Sequence, residues 1–204
     1  AEGKGFEVEL KYQKSFNKHL WLTVNGNFTY ASGKFKEYEE PDYSDVPWRS
    51  RIGLKINQPM GWIAERLFID DEEVANSPVQ QFGEYGAGDI KYKDINDDGL
   101  INNDDMVPIG YPTVPEIIYG TGFTMGYKAF DFSVFFQGSA RSSFFIEPNA
   151  ITPFLNKGQR GLLQYIADDH WSENNRDVYA FWPRLSEYGI GNNNRPSTHW
   201  LRNG

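Results

Sequence analysis

The sequence predicts an all-β fold of antiparallel hairpins, with tight turns at one end and very long loops at the other. Three observations carry that expectation. Two regions alternate apolar and polar residues with the period of a strand. Each region doubles back across a short break, as a hairpin does. The segments around them are far longer than the connections inside a compact domain. Short turns on one side and long loops on the other are the layout of a large transmembrane β-barrel, with the long loops extracellular.

The first hairpin occupies about residues 5–34. Phe6, Val8, Leu10 and Tyr12 alternate with Glu7, Glu9, Lys11 and Gln13, and "SFNKHL" then interrupts the pattern. "WLTVNGNFTYASG" resumes it, with Leu22, Val24, Phe28 and Tyr30 on one face and Thr23, Asn25, Asn27 and Thr29 on the other. Gly26 falls on the apolar face, which fits a barrel bend or a close neighbour. The second hairpin occupies about 119–141. Phe123, Met125 and Tyr127 lead through "KAFD" to Phe132, Val134 and Phe136, and only Phe135 breaks the polar face. The turns are expected at 14–19 and 128–131, and the long loops at about 35–118 and 142–198. The second loop contains a helical pattern near "GLLQYIADDHW" and an Asn-rich stretch, "GIGNNNRPS".

Composition narrows the function. In 204 residues, 39% are hydrophobic and 16% aromatic, the mix of aromatic-rich strands. A net charge of −8 and the lack of any Lys/Arg cluster exclude nucleic acid as a partner. With no cysteine there is neither a disulfide framework nor thiol chemistry. No apolar run reaches the roughly 20 residues of a spanning helix, a statement that leaves barrel strands untouched.

One stretch carries chemistry. In "YKDINDDGLINNDD" the oxygen-bearing side chains Asp94, Asn96, Asp98, Asn102 and Asp105 occupy the first, third, fifth, ninth and twelfth positions of a calcium loop. Gly99 stands where such a loop turns sharply, and Leu100 where a backbone carbonyl ligates. Asp105 is shorter than the usual Glu at the twelfth position, so weak structural calcium is expected rather than a switch. "DDHW" at 168–171 reads as a polar helix end anchored by Trp171. His19 and His199 lie far from His170 in sequence, and no nucleophile elbow or zincin motif appears, so no enzyme is expected. Trp48, Trp62, Tyr85, Trp171 and Trp182 could stack on sugar rings, although such residues more often pack loops together.

Beyond these readings, "GDIKYKDINDDGLINNDDMVPIGYPTVPEIIYG" followed by "FTMGYKAFDFSVFFQGS" resembles the C-terminal part of SusC/RagA-type TonB-dependent transporters of the Bacteroidetes outer membrane. "GWIAERLF", "DHWSENN" and "STHWLRNG" resemble neighbouring stretches of the same family. The resemblance covers nearly the whole chain and is most specific over residues 87–138. It implies a barrel fragment in the cell outer membrane, lacking the plug, the TonB-contacting segment and the closing strands. It also implies import of glycans or, as a second choice, peptides, with a SusD-like surface lipoprotein as lid and an energising TonB complex. The competing reading is a soluble, calcium-stabilised carbohydrate-binding β-domain. There the apolar residues of both hairpins would form one dry core with a second sheet.

Overall fold

The structure, a computed structural model, describes residues 1–204 apart from the side chains at 156 and 157. Four long strands form one antiparallel sheet: β1 (Glu2–Asn17), β2 (Leu20–Lys34), β3 (Ile117–Tyr127) and β4 (Phe130–Ala140), in the spatial order β1-β2-β3-β4. The first strand runs through the expected polar break, leaving a turn of only Lys18 and His19, with a register shift between Ser15 and Asn17. Asn17 Oδ1 accepts the His19 N–H at 2.8 Å, a local bond that closes the turn. In the second turn Lys128 adopts φ 57°, and its N–H donates to His19 O at 2.8 Å. Both tight turns therefore lie side by side, and every long connection leaves from the opposite end.

Register puts most of the apolar residues of the four strands on one face. Phe6, Val8 and Tyr12 stand opposite Tyr30, Phe28 and Val24, which in turn face Ile117, Tyr119 and Phe123. Phe123 and Met125 then oppose Val134 and Phe132. This face is open: Leu10 is 70% exposed and Phe136 65%. No second sheet covers it among the described residues, so the dry core expected on the soluble reading is not seen there. Along β2 the face runs eleven residues, from Leu20 to Tyr30. At about 3.4 Å per residue and a tilt of about 40° it is about 25 Å tall, the height of a barrel's lipid-facing band.

The other face carries Thr23, Asn25, Asn27, Thr124 and Ser133. Trp21, Ile118 and Phe135 interrupt its polarity. Phe135 lies across Gly120 and Gly122, and a Cβ at Gly122 would collide with its ring. Gly26 is different: a Cβ there would meet nothing closer than 3.7 Å, so no close neighbour demands it.

The two long connections are not separate loops. They fold together into a body with its own core, in which Trp62, Leu67, Ile90, Tyr92 and Ile101 of the first meet Ile166, Trp171, Trp182 and Trp200 of the second. Short ladders hold it: Ala64–Leu67 with Ile90–Tyr92, Met60–Gly61 with Val107–Pro108, and Ser143–Phe145 with Leu201–Asn203. The expected helix is a single turn, Gln164–Asp168. The Asn-rich stretch is interior. Asn192 Nδ2 donates to Ile90 O at 2.8 Å, Asn193 Oδ1 accepts Ile90 N–H at 2.9 Å, and Gln80 Nε2 reaches Asn192 Oδ1 at 2.8 Å. These amides act as a surrogate strand beside Ile90–Tyr92, satisfying backbone that water cannot reach.

A carboxylate pins this body to the sheet. Glu116, just before β3, receives Lys55 Nζ at 2.6 Å, Arg141 Nε at 2.9 Å and the Ser32 hydroxyl at 2.5 Å. Burial works against its charge, but the two cations and the hydroxyl outweigh it and hold its carboxyl below the usual range.

Candidate functional site

The acidic loop lies on the surface of the packed body. Its glycine turns as the spacing requires: Gly99 has φ 82°, and Asp97 beside it has φ 58°. Asp94 Oδ2 accepts the Gly99 N–H at 2.8 Å, drawing the first position against the turn. Val79–Gln80 pairs in parallel with Leu100–Ile101; the Val79 N–H takes the Gly99 carbonyl and the Gln81 N–H that of Ile101, leaving that of Leu100 outside the ladder. At the far end Asp105 is buried. It accepts the Ile95 and Asn102 N–H groups, both at 2.8 Å, and so ties the twelfth position to the second and ninth.

The loop is thus closed on itself by its own carboxylates. Asn96 Nδ2 donates to Asp98 Oδ2 at 2.9 Å, and Asn102 Oδ1 accepts the Asp104 N–H at 2.7 Å. Among the described residues no three acidic or imidazole side chains converge as a ready-made cage. One atom stands out: Asp94 Oδ1 is buried without a hydrogen-bond partner. A carboxylate oxygen in that condition is costly unless something positive or protic meets it.

Two tryptophans brace the loop from behind. Trp62 Nε1 donates to Asn102 O at 2.7 Å and Trp48 Nε1 to Asp104 O at 2.6 Å, while Arg49 holds Asp104 Oδ1 at 2.8 Å. Sequence reasoning did not find these supports, because indole-to-carbonyl contacts across 40 or more residues leave no local pattern.

The aromatic candidates for sugar stacking are spent on packing. Trp62, Trp171 and Trp182 are buried in the core. Tyr85 stacks on Phe68 with centroids 5.8 Å apart, and its hydroxyl accepts the Gln80 N–H at 3.0 Å. His170 Nδ1 lies 2.9 Å from Ala167 O at the end of the single-turn helix. His199 is half-buried against Trp200, with Nε2 2.9 Å from Phe181 O, and desolvation pushes its pKa down to about 4. The three histidines stand apart, each with a local role.

Against known proteins, no family model matches the chain. The chain is 35% identical over 193 residues to TonB-dependent receptor P26 of Formosa agariphila, an alignment covering 84% of this chain and 19% of that protein. Its fold is that of part of the RagAB peptide transporter, with TM-score 0.65 at 15% identity, covering 98% of this chain and 21% of the other. A RagAB peptide importer in a closed-closed state gives TM-score 0.63 at 16% identity, with the same coverage. The chain therefore spans about a fifth of the length of the relatives it matches.

Proposed function

Because the chain belongs to the TonB-dependent receptors, we propose that it supplies part of the wall and part of the extracellular body of an outer-membrane importer. The observation that carries this reading is the uncovered apolar face, about 25 Å tall by strand geometry, backed by a polar face of threonines and asparagines. Lipid meets the first and a wet lumen the second. The packed body then faces outward, where a SusD-like lipoprotein lids the barrel, and a TonB complex drives uptake through other parts of the protein.

For the cargo we favour short peptides over glycans. Of the indoles that could have stacked on sugars, Trp62, Trp171 and Trp182 are buried and the half-buried Trp48 is bonded to Asp104 O, and the neighbours in fold are described as a peptide transporter and a peptide importer. Uptake of a fluorescent oligopeptide by cells carrying the full-length receptor tests this. Uptake that survives loss of the lid lipoprotein or of the energising complex would remove the reading.

The acidic loop we assign to structural calcium. Asp94, Asn96, Asp98 and Asp105 supply side-chain oxygens, Leu100 its carbonyl, and Asn102 a direct or water-bridged oxygen. The buried, unpartnered Asp94 Oδ1 is the feature that supports a cation there. Three carboxylates among the ligands repel one another without it. The ion would draw Asp98 out of its bond with Asn96 and hold the loop as a fixed outward surface at lower ordering cost.

A further inference from the structure

Among the described residues Arg195 has no carboxylate partner, and neither does Arg51, which lies over the Tyr38 ring. Arg49, Arg66, Arg141, Arg176 and Arg184 each hold a carboxylate. Arg160 and Arg202 hold backbone carbonyls. Arg195 is half-buried, its guanidinium 4.9 Å from the Phe82 ring centroid and its Nε enclosed without an acceptor. Partly desolvating a guanidinium with no acceptor is unfavourable, and an incoming anion would relieve it.

Arg195 also lines a groove of about 390 Å³ whose walls include Met60, Phe145, Ile146 and Trp200. That volume falls in the range of small-ligand sites, whose usual make-up is apolar walls with a few placed polar groups; here Asn57, Gln58, Thr113 and Asn194 join Arg195. Glu147 lines the groove as well, with Oε1 occupied by the Asn149 N–H at 3.1 Å. The guanidinium is held against an aromatic face, so its planar fork is oriented before any ligand arrives. Phe82 stands 4.8 Å from Trp62, which in turn holds Asn102 O. The shelf under Arg195 is thus built on the acidic loop.

We propose that this groove binds the free carboxylate end of a short peptide, Arg195 pairing with the carboxylate and the apolar wall taking the last side chain. The source of the ligand rests on the peptide reading above; the chemistry of the site does not. The fork geometry of guanidinium and carboxylate supplies the selectivity.

Calorimetric titration of the full-length receptor in detergent, with acetyl-Ala-Leu-Phe as the free acid and as the amide, tests this. The acid should bind about tenfold tighter than the amide, the worth of a charge-assisted pair. Arg195→Gln should bring the acid down to the amide's affinity and leave the amide unchanged. Arg195→Lys should restore part of the difference, and Ile146→Trp, which fills the groove, should abolish both. Equal binding of acid and amide, no binding of either, or equal weakening of both by Arg195→Gln would overturn the proposal, as would full binding to the Ile146→Trp protein. Acid selectivity without peptide uptake by cells would defeat the transport reading and leave the groove standing. Uptake without acid selectivity would defeat the groove alone.

Discussion

The sheet and the packed body treat apolar side chains in opposite ways. On β1 to β4 many large apolar residues, Phe6, Leu10, Phe132 and Phe136 among them, stay exposed, whereas in the body every tryptophan of the core is at most 5% exposed. On the barrel-wall reading proposed above, the same chain answers to two solvents. A sheet that meets hydrocarbon has no reason to hide Leu10 or Phe132, and its backbone is satisfied strand to strand. A body that meets water must close a core, and this one does so with few regular elements, using side-chain amides where strands are too short. The contrast teaches that exposure alone does not mark a residue as dispensable; the medium decides.

The largest effect should come from opening the body's core. Trp200 is 1% exposed, packs 5.2 Å from Trp182 and donates Nε1 to Asn193 O at 2.7 Å. Trp200→Ala should cost about 3–5 kcal/mol. Limited proteolysis should then cut between residues 35 and 116 and after 142, with the strands still protected. Strands digested at the same rate would mean that the two regions are one cooperative unit.

The contrast between solvents is tested next by a charge. Leu10 is 70% exposed and Tyr179 78%. In a bilayer, Leu10→Arg should destabilise the full-length receptor by about 2–4 kcal/mol, as for a cation near the midplane of a barrel. Tyr179→Arg should stay within about 0.5 kcal/mol. Equal tolerance at both positions, read from urea unfolding in lipid vesicles, would show that water rather than lipid meets the sheet.

A smaller loss, about 1–3 kcal/mol, is expected for Asn192→Ala, which removes two interior hydrogen bonds, one to Ile90 O and one from Gln80 Nε2, and leaves those two groups only the bond they make to each other. Its signature is faster amide exchange at Ile90 and Tyr92 with no change in β1 to β4.

The two regions also differed in how much the sequence disclosed. Period-two alternation is a local signal, so β1 to β4 and their shared face could be read from residues such as Val8, Val24, Phe123 and Val134. Register across strands follows from the same alternation, because a one-residue slip would turn each apolar row into the lumen. The body was opaque, since its order comes from long-range contacts. Asn192 and Asn193 look like a solvated turn until Ile90, some 100 residues away, is found beside them. In the acidic loop the ligand spacing and the Gly99 turn were legible. The bracing by Trp48 and Trp62 was not, nor was Arg195, whose interest lies in what it lacks.

The last prediction separates the regions by acid, because the groups with strongly displaced titration lie in the body. His199 is neutral when folded, its pKa pushed down from 6.5 to about 4 by burial, so the unfolded chain binds a proton that the folded chain refuses. Stability from this group is whole above pH 6.5 and falls as pH drops toward 4. At pH 5 the loss should be about 1–2 kcal/mol. Glu73 acts lower down. Burial opposes its charge, but the Ile69 N–H, Lys91 and Arg66 hold its carboxyl at about 2, so its contribution is complete above pH 4.5 and fades below it. Between pH 6.5 and 4.5, then, the body should loosen through His199 while the sheet does not respond. Tryptophan fluorescence should follow the body, since Trp200 lies against His199 with centroids 4.5 Å apart. His199→Gln should flatten the response in that window and leave the drop below pH 4.5 in place. A response that survives the substitution would mean another group titrates there, and one that spreads to the strands would erase the distinction between the two regions.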